Sequence, residues 1–524
     1  MKRNLHKKYI SLSILSGLLF GLSWPVNGIF FLIFTAFIPI LLIEKELREK
    51  SLLQIYFYSF LSFIIWNTIT SWWIINSSVF GMFFAVILYS LLMALVFTFY
   101  SLVSNKLGNK LGIIFFVSSW IVFEKFNLGW EFSWPSLILG NVFSESHQFI
   151  QWFEYTGTLG GSLWILFVNL IFFQTLIKYL NKKYYLKTLS IGLLSISFPI
   201  IISLFIYIQD IKHEKHVDIV IIQPNIDPYN RKYGRTNFEI LQEFKKTTKN
   251  EKFNNKLIIT PETYFSESPG YSLNNFFNSQ FYKDLDIYLK EKKSEIISGI
   301  QFYKIYNSSK TKTKSSNYIS DSTWVDIYNS SFINSKENQI YHKSKLVVGV
   351  ENLPYKSVLE PLLGNLLLDF GGTVMTRATQ ENRSVFNTNS KILVAPVICY
   401  ESMYGEYMTE YVRNGAQLIA IITNDGWWGD SPGHKQLLSY SKLRSIELRR
   451  SIVRSANTGI SAIINEKGDV INSIPYEKNG IINDKVFVSN KLTFYAKYGD
   501  YIFRISLFFF IVIFLFYFRN SING

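Results

Sequence analysis

A series of long apolar stretches, seven before residue 210 and one near the end of the chain, constrains the fold more than any other feature. A helix needs roughly 20 apolar residues to cross a bilayer, and a spanning segment must satisfy its own backbone hydrogen bonds. We therefore predict a polytopic α-helical membrane domain with about eight transmembrane helices. The predicted spans are 9–25, 28–43, 54–75, 81–104, 110–126, 160–178, 187–208 and 501–518.

The first stretch also fits a secretory signal peptide, because the basic segment MKRNLHKK precedes it. It is followed by SWPVNG, which is not a small-residue cleavage site, so an uncleaved span is favoured.

Lysine and arginine gather in alternate connectors between the predicted spans. MKRNLHKK, EKELREK, SNKLGNK, KYLNKKYYLK and FRN are basic, whereas SWWIINSSVFG and EKFNLGWEFSWPS carry almost no basic residues. The positive-inside rule then predicts cytoplasmic termini and places 212–500 on the opposite face, the periplasm if this is a bacterial inner membrane. This pattern accounts for the net charge of +15 without a nucleic-acid partner.

From residue 217 the chain changes to short β-branched runs, each ending in a polar or turn residue. The predicted strands are VDIVIIQPN, KLIITPE, EIISGIQ, KILVAPVICYE and QLIAIITND. Helical patterns lie between them at 237–249, 274–292, 404–414 and 434–455. Alternating strands and helices predict a layered α/β domain. The predicted organisation is 1–210 membrane helices, 211–498 extracytoplasmic domain, and 499–524 final span with a short tail.

Three polar residues or pairs follow separate predicted strands: Glu262, Cys399 and Asn424–Asp425. Chemistry in open α/β sheets collects at the carboxyl ends of strands. We therefore predict that these side chains share one site.

Cys399 is the only cysteine, so the chain has no intramolecular disulfide. A lone thiol is often a small buried hydrophobe. Its position before Tyr400 and Glu401, at a strand-to-helix junction, favours a nucleophile whose pKa is lowered by nearby backbone N–H groups. Glu262 fits either a helix cap or a general base for that thiol.

The sequence shows no phosphate-binding loop, glycine-rich dinucleotide turn or cysteine-histidine metal spacing. The predicted chemistry is therefore covalent catalysis with no cofactor and no metal.

The motifs resemble the nitrilase superfamily. They are TPE at Glu262, Y-x-K-x-x-L-V from Tyr341 to Val347, and the Cys-Tyr-Glu step at 399–401. With the membrane spans on both sides, the chain looks like the membrane-embedded branch of that superfamily, the apolipoprotein N-acyltransferases. IIQPNID, TNDGWWGDSPG, LRSIELRRSIVRSANTGISAII and FYAKYGDY also resemble segments of that branch.

The resemblance implies a nitrilase-like α-β-β-α sandwich with Cys399 as nucleophile, Glu262 as general base and Lys343 as the oxyanion-stabilising cation. Lys343 is favoured over Lys345 because it is third in the Y-x-K pattern. Glu351 matches the second glutamate of the family.

Tyr400 and Glu401 complete the auxiliary set, the backbone N–H of Tyr400 as an oxyanion donor and Glu401 as the acidic residue two past the cysteine. The segment VVGVE departs from the usual Pro-Phe-Gly-Glu, so the local loop shape differs from the family's. Tyr233 stands where many relatives carry tryptophan.

The implied reaction transfers an acyl chain from a phospholipid, such as phosphatidylethanolamine, to the α-amine of a diacylglyceryl-cysteine apolipoprotein. It proceeds in two steps through a thioester on Cys399, at the bilayer. Tyr233, Trp427 and Trp428 are predicted to bind substrate, although the two tryptophans equally fit core packing. The apolar residues within 352–390 suggest a lid.

Two alternatives remain open. A membrane-anchored nitrilase-type amidase would share the triad but release the acyl group to water. A non-catalytic membrane binding protein or transporter is less favoured, because the spans carry few charged residues.

Overall fold

The computed structural model describes residues 2–211, 215–228, 232, 234–249, 251, 253–361 and 375–522. The chain forms two compact units. The helical unit comprises Met1–Ile75, Val79–Gln209 and Tyr498–Gly524. The α/β unit comprises Asn76–Ser78 and Asp210–Lys497.

The α-helices lie in both units. They are α1 (Lys2–Ser23), α2 (Ile38–Leu47), α3 (Leu52–Ser71), α4 (Val79–Leu107), α5 (Asn109–Gly129), α6 (Phe153–Thr156), α7 (Thr158–Leu180), α8 (Leu186–Ile208), α9 (Asn237–Thr247), α10 (Gln280–Glu291), α11 (Gly405–Arg413), α12 (Pro432–Leu448), α13 (Phe494–Tyr498) and α14 (Tyr501–Ile522).

The strands belong to the α/β unit. They are β1 (Lys215–Gln223), β2 (Leu257–Ile259), β3 (Tyr271–Ser272), β4 (Glu295–Tyr306), β5 (Asn317–Ser320), β6 (Thr323–Asn334), β7 (Gln339–His342), β8 (Phe386–Asn387), β9 (Leu393–Ile398), β10 (Leu418–Thr423), β11 (Ile452–Ala456), β12 (Ser461–Ile464), β13 (Val470–Ile474) and β14 (Gly480–Val488).

Six helices of the described chain are long and apolar enough to cross a membrane. They are Leu52–Asn76, Val79–Leu107, Asn109–Gly129, Thr158–Leu180, Leu186–Ile208 and Tyr501–Asn520. Each coincides with one of the predicted spans. The predicted span 9–25 falls on α1, which is helical but is not among the six.

The prediction of one continuous helix over 28–43 is wrong. The chain forms a 3-10 helix at Phe30–Thr35, and α2 begins only at Ile38 with Pro39 in its first turn. Proline lacks a backbone N–H and clashes with a preceding helical turn, so it favours the start of a new helix.

The α/β unit contains two sheets. One has the strand order β14-β1-β2-β4-β6-β5, with β3 beside β4 and β7 beside β6; the other has the order β13-β12-β11-β10-β9-β8. Strands β1, β2 and β4 are parallel, as are β9, β10 and β11. All five strands predicted from the sequence are confirmed as β1, β2, β4, β9 and β10.

Alternating side chains of β1 show how the layers stack. Ile219 and Ile221 are fully buried in a core shared with Ile421 of β10. Their neighbours Val220 and Ile222 point the other way, into a second core with residues of α9 and α10. Since successive side chains of a strand face opposite sides of the sheet, the first sheet lies between a helix layer and the second sheet. With α11 packed on the second sheet, this is the predicted α-β-β-α sandwich.

The predicted helix over 434–455 extends too far. Helix α12 ends at Leu448, and Arg449 follows in the left-handed conformation with φ of 47°. Ile452 and Val453 then lie in β11. Consecutive β-branched residues favour a strand, and this overrides the helical spacing read across them. The predicted helix at 274–292 likewise begins later, with α10 at Gln280 after a 3-10 turn.

Candidate active site

Cys399 occupies the junction between β9 and the next turn. It follows Ile398 directly, begins the 3-10 helix Cys399–Met403 and has φ of 50°. A non-glycine residue in the left-handed region is uncommon, and such strain clusters at functional sites. The side chain is 7% exposed. The junction therefore holds the single thiol at the end of a parallel strand, as predicted.

Glu262, Lys343 and Glu351 form a buried charged cluster. The Nζ of Lys343 lies 2.9 Å from Oε1 of Glu262 and 2.8 Å from Oε2 of Glu351. The Lys343 side chain is 1% exposed. Burial alone would lower the pKa of Lys343, but the two carboxylates raise it well above its ordinary value. Lys343 is therefore a permanent cation, and Lys343 rather than Lys345 occupies this position.

Glu351 contacts both Lys343 and Asn329. Its Oε2 also accepts from the backbone N–H of Val347 at 3.0 Å. Burial opposes ionisation, yet Lys343 and Arg377 lower the pKa of Glu351. The departure from the usual Pro-Phe-Gly-Glu segment has not displaced this carboxylate from Lys343.

Asn329, on β6, was not predicted from the sequence. Its Nδ2 donates to Oε1 of Glu262 and to Oε1 of Glu351, both at 2.8 Å. The backbone N–H of Lys343 donates to the Asn329 carbonyl at 2.8 Å. Asn329 therefore contacts both carboxylates through its side chain and the backbone of Lys343 through its carbonyl. Its only sequence signal is a polar residue inside an otherwise apolar and aromatic strand.

One hydrogen-bond acceptor and one donor of the cluster have no partner among the described residues. Oε1 of Glu262 accepts two hydrogen bonds, but Oε2 receives none from the described part of the chain. Lys343 carries three N–H donors, and two are committed to carboxylates in the residues that the structure describes. One basic oxygen and one cationic donor are thus available to a reacting group.

The thiol is protonated at neutral pH. Burial, the largest effect, raises the pKa of Cys399 to about 12; the charges of Glu262 and Asp425 add to the rise, and Lys343 and Thr423 oppose it. The expectation that the junction lowers this pKa is therefore wrong for the substrate-free protein, because desolvation outweighs the local dipoles.

Glu401 supports the turn that carries Cys399. Its Oε2 accepts from the backbone N–H of Ile398 at 2.8 Å, and its Oε1 accepts from the backbone N–H of Ser344 at 2.7 Å. The hydroxyls of Tyr341 and Tyr407 also donate to Oε1, each at 2.6 Å. Burial raises the pKa of Glu401. This fully buried carboxyl group connects the turn that carries Cys399 to Ser344, the residue after Lys343.

The remaining predicted residues lie as follows. Tyr400 is buried in the same turn and packs edge-on against Tyr404. Trp427 and Trp428 are half-buried in the 3-10 helix Asp425–Trp428. Trp427 lines a cavity of about 570 Å³ in the α/β unit, together with Pro228 and Tyr476. Tyr233 and residues 362–374, the centre of the suggested lid, lie outside the described residues.

Lys232 is the second residue that sequence reasoning missed. It is 3% exposed, and its Nζ donates to the backbone carbonyl of Glu262 at 3.0 Å. The side-chain amide of Asn424 presents its oxygen to Lys232 Nζ at 3.0 Å and to Trp427 Nε1 at 3.2 Å, since both of these groups donate. A buried lysine therefore joins the ends of β2 and β10. The sequence predicts its neighbour Tyr233 as a substrate-binding residue, but no sequence pattern indicates that Lys232 is buried.

Two family models match most of the chain. Residues 16–171 match the apolipoprotein N-acyltransferase N-terminal domain, and residues 236–486 match the carbon-nitrogen hydrolase domain. A protein named apolipoprotein N-acyltransferase from Chlorobaculum tepidum is 25% identical, with 97% of this chain and 96% of that protein aligned. The chain belongs to the apolipoprotein N-acyltransferase family.

Further apolipoprotein N-acyltransferases support this assignment. The protein of that name from Thermotoga maritima is 24% identical over 95% of this chain and 91% of its own length. The one from Bradyrhizobium diazoefficiens is 35% identical over 31% of this chain and 29% of its own. The matches extend over both units of the structure, so membership does not depend on the α/β unit alone.

Solved structures resemble part of this apolipoprotein N-acyltransferase family member. An amidase from Nesterenkonia sp. aligns with 57% of this chain and 98% of its own, at a TM-score of 0.36 and 11% identity. A nitrilase superfamily member from Saccharomyces cerevisiae aligns with 53% of this chain and 93% of its own, at a TM-score of 0.35 and 15% identity.

Proposed function

We propose that the protein transfers an acyl chain from a phospholipid to the α-amino group of the diacylglyceryl-cysteine of apolipoproteins. The intermediate is a thioester on Cys399. The observation that carries the proposal is the buried cluster in which Oε2 of Glu262 and one N–H of Lys343 have no partner among the described residues, while the charges of both side chains act on the only thiol. Six helices in the described chain are long and apolar enough to cross a membrane, and diacylated substrates reside in membranes.

The first half-reaction begins with a protonated thiol. Glu262 takes the proton as the sulfur of Cys399 attacks the ester carbonyl carbon of the phospholipid, and the carbonyl oxygen becomes an oxyanion. The remaining N–H of Lys343 donates to that oxyanion, and such a donor is worth roughly 3 kcal/mol in comparable sites. The carbon–oxygen bond then breaks, and Glu262 returns the proton to the departing oxygen. The products are a lysophospholipid and an acyl-thioester.

The second half-reaction uses the same groups in reverse. The neutral α-amine of the acceptor attacks the thioester carbonyl, Glu262 takes the amine proton, and Lys343 again stabilises the oxyanion. The carbon–sulfur bond breaks, an amide forms, and the proton returns to the sulfur of Cys399. Dividing one transfer into two steps through a covalent intermediate lowers the barrier of each.

The two auxiliary glutamates have different parts in this proposal. Glu351 keeps Lys343 oriented and charged, so it acts on the oxyanion through the lysine. Glu401 holds the turn of Cys399 against the segment after Lys343, so it positions the nucleophile. The backbone N–H of Tyr400 is proposed as a second oxyanion donor, and Trp427 as part of the substrate wall.

The proposed orientation follows the basic connectors. Both termini lie in the cytoplasm, and the α/β unit faces the periplasm of a bacterial inner membrane. A phosphatase reporter that is active only in the periplasm should be active when fused after residue 77 and inactive when fused after residue 182. The opposite pattern contradicts the orientation.

The decisive experiment incubates the purified protein with phosphatidylethanolamine and measures the intact mass. We expect one acyl group on Cys399, no adduct on Cys399→Ala, and discharge by a diacylated peptide with a free α-amine. Discharge by water at the same rate without the peptide supports the amidase instead. An unmodified wild-type protein contradicts the proposal as a whole.

A further inference from the structure

The charged cluster around Lys343 contains two carboxylates. Glu262 and Glu351 both pair with Lys343, which carries one positive charge. Asp425 also acts on the thiol, but it is paired with Arg454 at 2.7 Å. The Nε of Arg377 lies 4.0 Å from Oε1 of Glu351 and offsets part of that negative charge. A further cation near Glu262 and Cys399 would favour the formation of a thiolate or an oxyanion there.

Lys232 is placed to supply that charge. Its ammonium bonds to the backbone carbonyl of Glu262, and the charges that act on it are those of Glu262, Cys399 and Lys343. It is nearly sealed from solvent, so its field is poorly screened by water. With Lys232 protonated, its positive charge favours the thiolate that forms when Cys399 gives its proton to Glu262.

Lys232 also fixes two loops relative to each other. The same ammonium that holds the carbonyl of Glu262 holds the side-chain oxygen of Asn424, which in turn accepts from Trp427. The hydroxyl of Ser266 donates to the backbone carbonyl of Lys232 and so stabilises the backbone at Lys232. The lysine thus connects the base loop after β2 to the loop after β10 that carries the predicted substrate wall.

We propose that Lys232 is a positioning residue for acyl transfer, which aligns the Glu262 loop with the Asn424–Trp427 loop and supplies a second positive charge beside Cys399. The inference rests on the proposed function for its role in transfer. Its effect on the thiol itself follows from charge alone and can be measured without any lipid.

The lipid-free test alkylates the protein with iodoacetamide at pH 7. Cys399 is the only cysteine, so the label reports one site. Lys232→Met removes a positive charge and should slow alkylation by about tenfold, because the thiolate is disfavoured. Lys232→Arg keeps the charge and should recover most of the rate. Lys292→Met is the matched control, since Lys292 also ties backbone carbonyls of Thr248, Lys249 and Glu251 but lies outside the charged cluster.

The lipid test measures the rate of acyl-thioester formation against pH in the same variants. Burial lowers the pKa of Lys232 to about 8, with Glu262 and Cys399 opposing the fall and Lys343 adding to it. Lys232 is thus charged below that pH and loses its charge above it. Thiol ionisation alone would make the rate of thioester formation rise with pH. The wild-type rate should fall below that expected rise above pH 8. In Lys232→Arg the fall should move to higher pH, and Lys232→Met should be about 100-fold slower at pH 7.

The outcomes separate this inference from the proposed function. If Lys232→Met matches Lys292→Met in both alkylation and thioester formation, the inference is overturned while the function stands. The same conclusion follows if Lys232→Arg restores folding, judged by thermal unfolding, but no alkylation rate. If the wild-type protein forms no thioester and the alkylation results still differ as expected, the function fails and the charge effect stands.

Discussion

The Nζ of Lys343 lies 2.9 Å from Oε1 of Glu262, although 81 positions separate the two residues in the chain. Strand β6 makes this contact possible, because Asn329 holds the backbone of Lys343 and the carboxylate of Glu262 at once. The pair is buried, so neither charge is stable without the other. This relationship holds the proposed base and the proposed oxyanion donor together through Asn329.

Lys343→Met should abolish chemistry and weaken the fold, whereas Lys345→Met should do neither. Removing Lys343 leaves Glu262 and Glu351 without their cation, at a cost of about 3–5 kcal/mol in stability. Loss of the oxyanion donor should lower thioester formation by roughly 10³-fold. Lys345 lies over the ring of Tyr404 at 4.9 Å, outside the cluster. The measurements are thermal unfolding and the thioester rate per folded molecule, and equal loss in both variants would contradict the assignment of Lys343.

Asn329→Asp should disable the site with little change in side-chain shape. The new carboxylate would face Glu262 and Glu351 at the positions where the amide now donates at 2.8 Å. Like charges at that distance raise carboxyl pKa values, and we expect thioester formation to fall by about 100-fold at pH 7. The measurement is the intact mass of the acylated protein against time.

Asn334→Asp is the matched control on the same strand. Its amide donates to the hydroxyl of Tyr282 and to Asp286, away from Cys399. This variant should lose stability to a similar extent but keep its thioester rate per folded molecule. A large loss of rate in Asn334→Asp would mean that the effect of Asn329→Asp comes from damage to β6 and not from the cluster.

The ends of strands were predictable, and the contacts between them were not. Cys399 and Glu262 stand out because short apolar runs stop at them, and parallel strands align their carboxyl ends. Lys343 needed the family resemblance, since a lysine alone is usually solvated. Asn329 and Lys232 contact Glu262 across 67 and 30 positions of the chain, so neither periodicity nor local motifs indicate these contacts.

Local chemistry also overrode periodicity in the fold. Hydropathy alone predicted a single span over 28–43, but Pro39 starts a new helix there. Helical spacing continued through Ile452 and Val453, but their β-branching and the left-handed Arg449 ended α12 early. The pKa of Cys399 was misjudged because sequence shows the junction but not the depth of burial.

Glu401→Gln should destabilise the turn that carries Cys399. Its two oxygens accept four hydrogen bonds, and an amide offers only one accepting oxygen. When the amide oxygen accepts from Ser344 and the two tyrosines, the new NH₂ group faces the backbone N–H of Ile398. That N–H then has no acceptor, at a cost of about 1–3 kcal/mol. Thermal unfolding should show this loss, with slower thioester formation per folded molecule.

Tyr407→Phe provides the comparison for Glu401→Gln. It removes one of the four donors and leaves the backbone contacts of Glu401 in place. We expect a loss of about 1 kcal/mol or less, and no change in the thioester rate beyond about threefold. If Tyr407→Phe is as damaging as Glu401→Gln, the carboxylate acts through the tyrosines and not through the turn of Cys399.

Glu351 should make the stability of the protein sensitive to acid. Its pKa is lowered in the folded state by Lys343 and Arg377, against the effect of burial. A carboxyl group with a depressed pKa contributes stability above its unfolded pKa, near 4.3, and this contribution is lost as pH falls through the folded pKa. The wild-type unfolding midpoint should therefore drop steeply below about pH 4. Glu351→Gln should be less stable at pH 7 by roughly 3 kcal/mol, and its unfolding midpoint should drop less on acidification. Glu360 is exposed, so Glu360→Gln should follow the wild-type curve. Parallel curves for all three proteins would show that the Glu351–Lys343 pair does not contribute to folding.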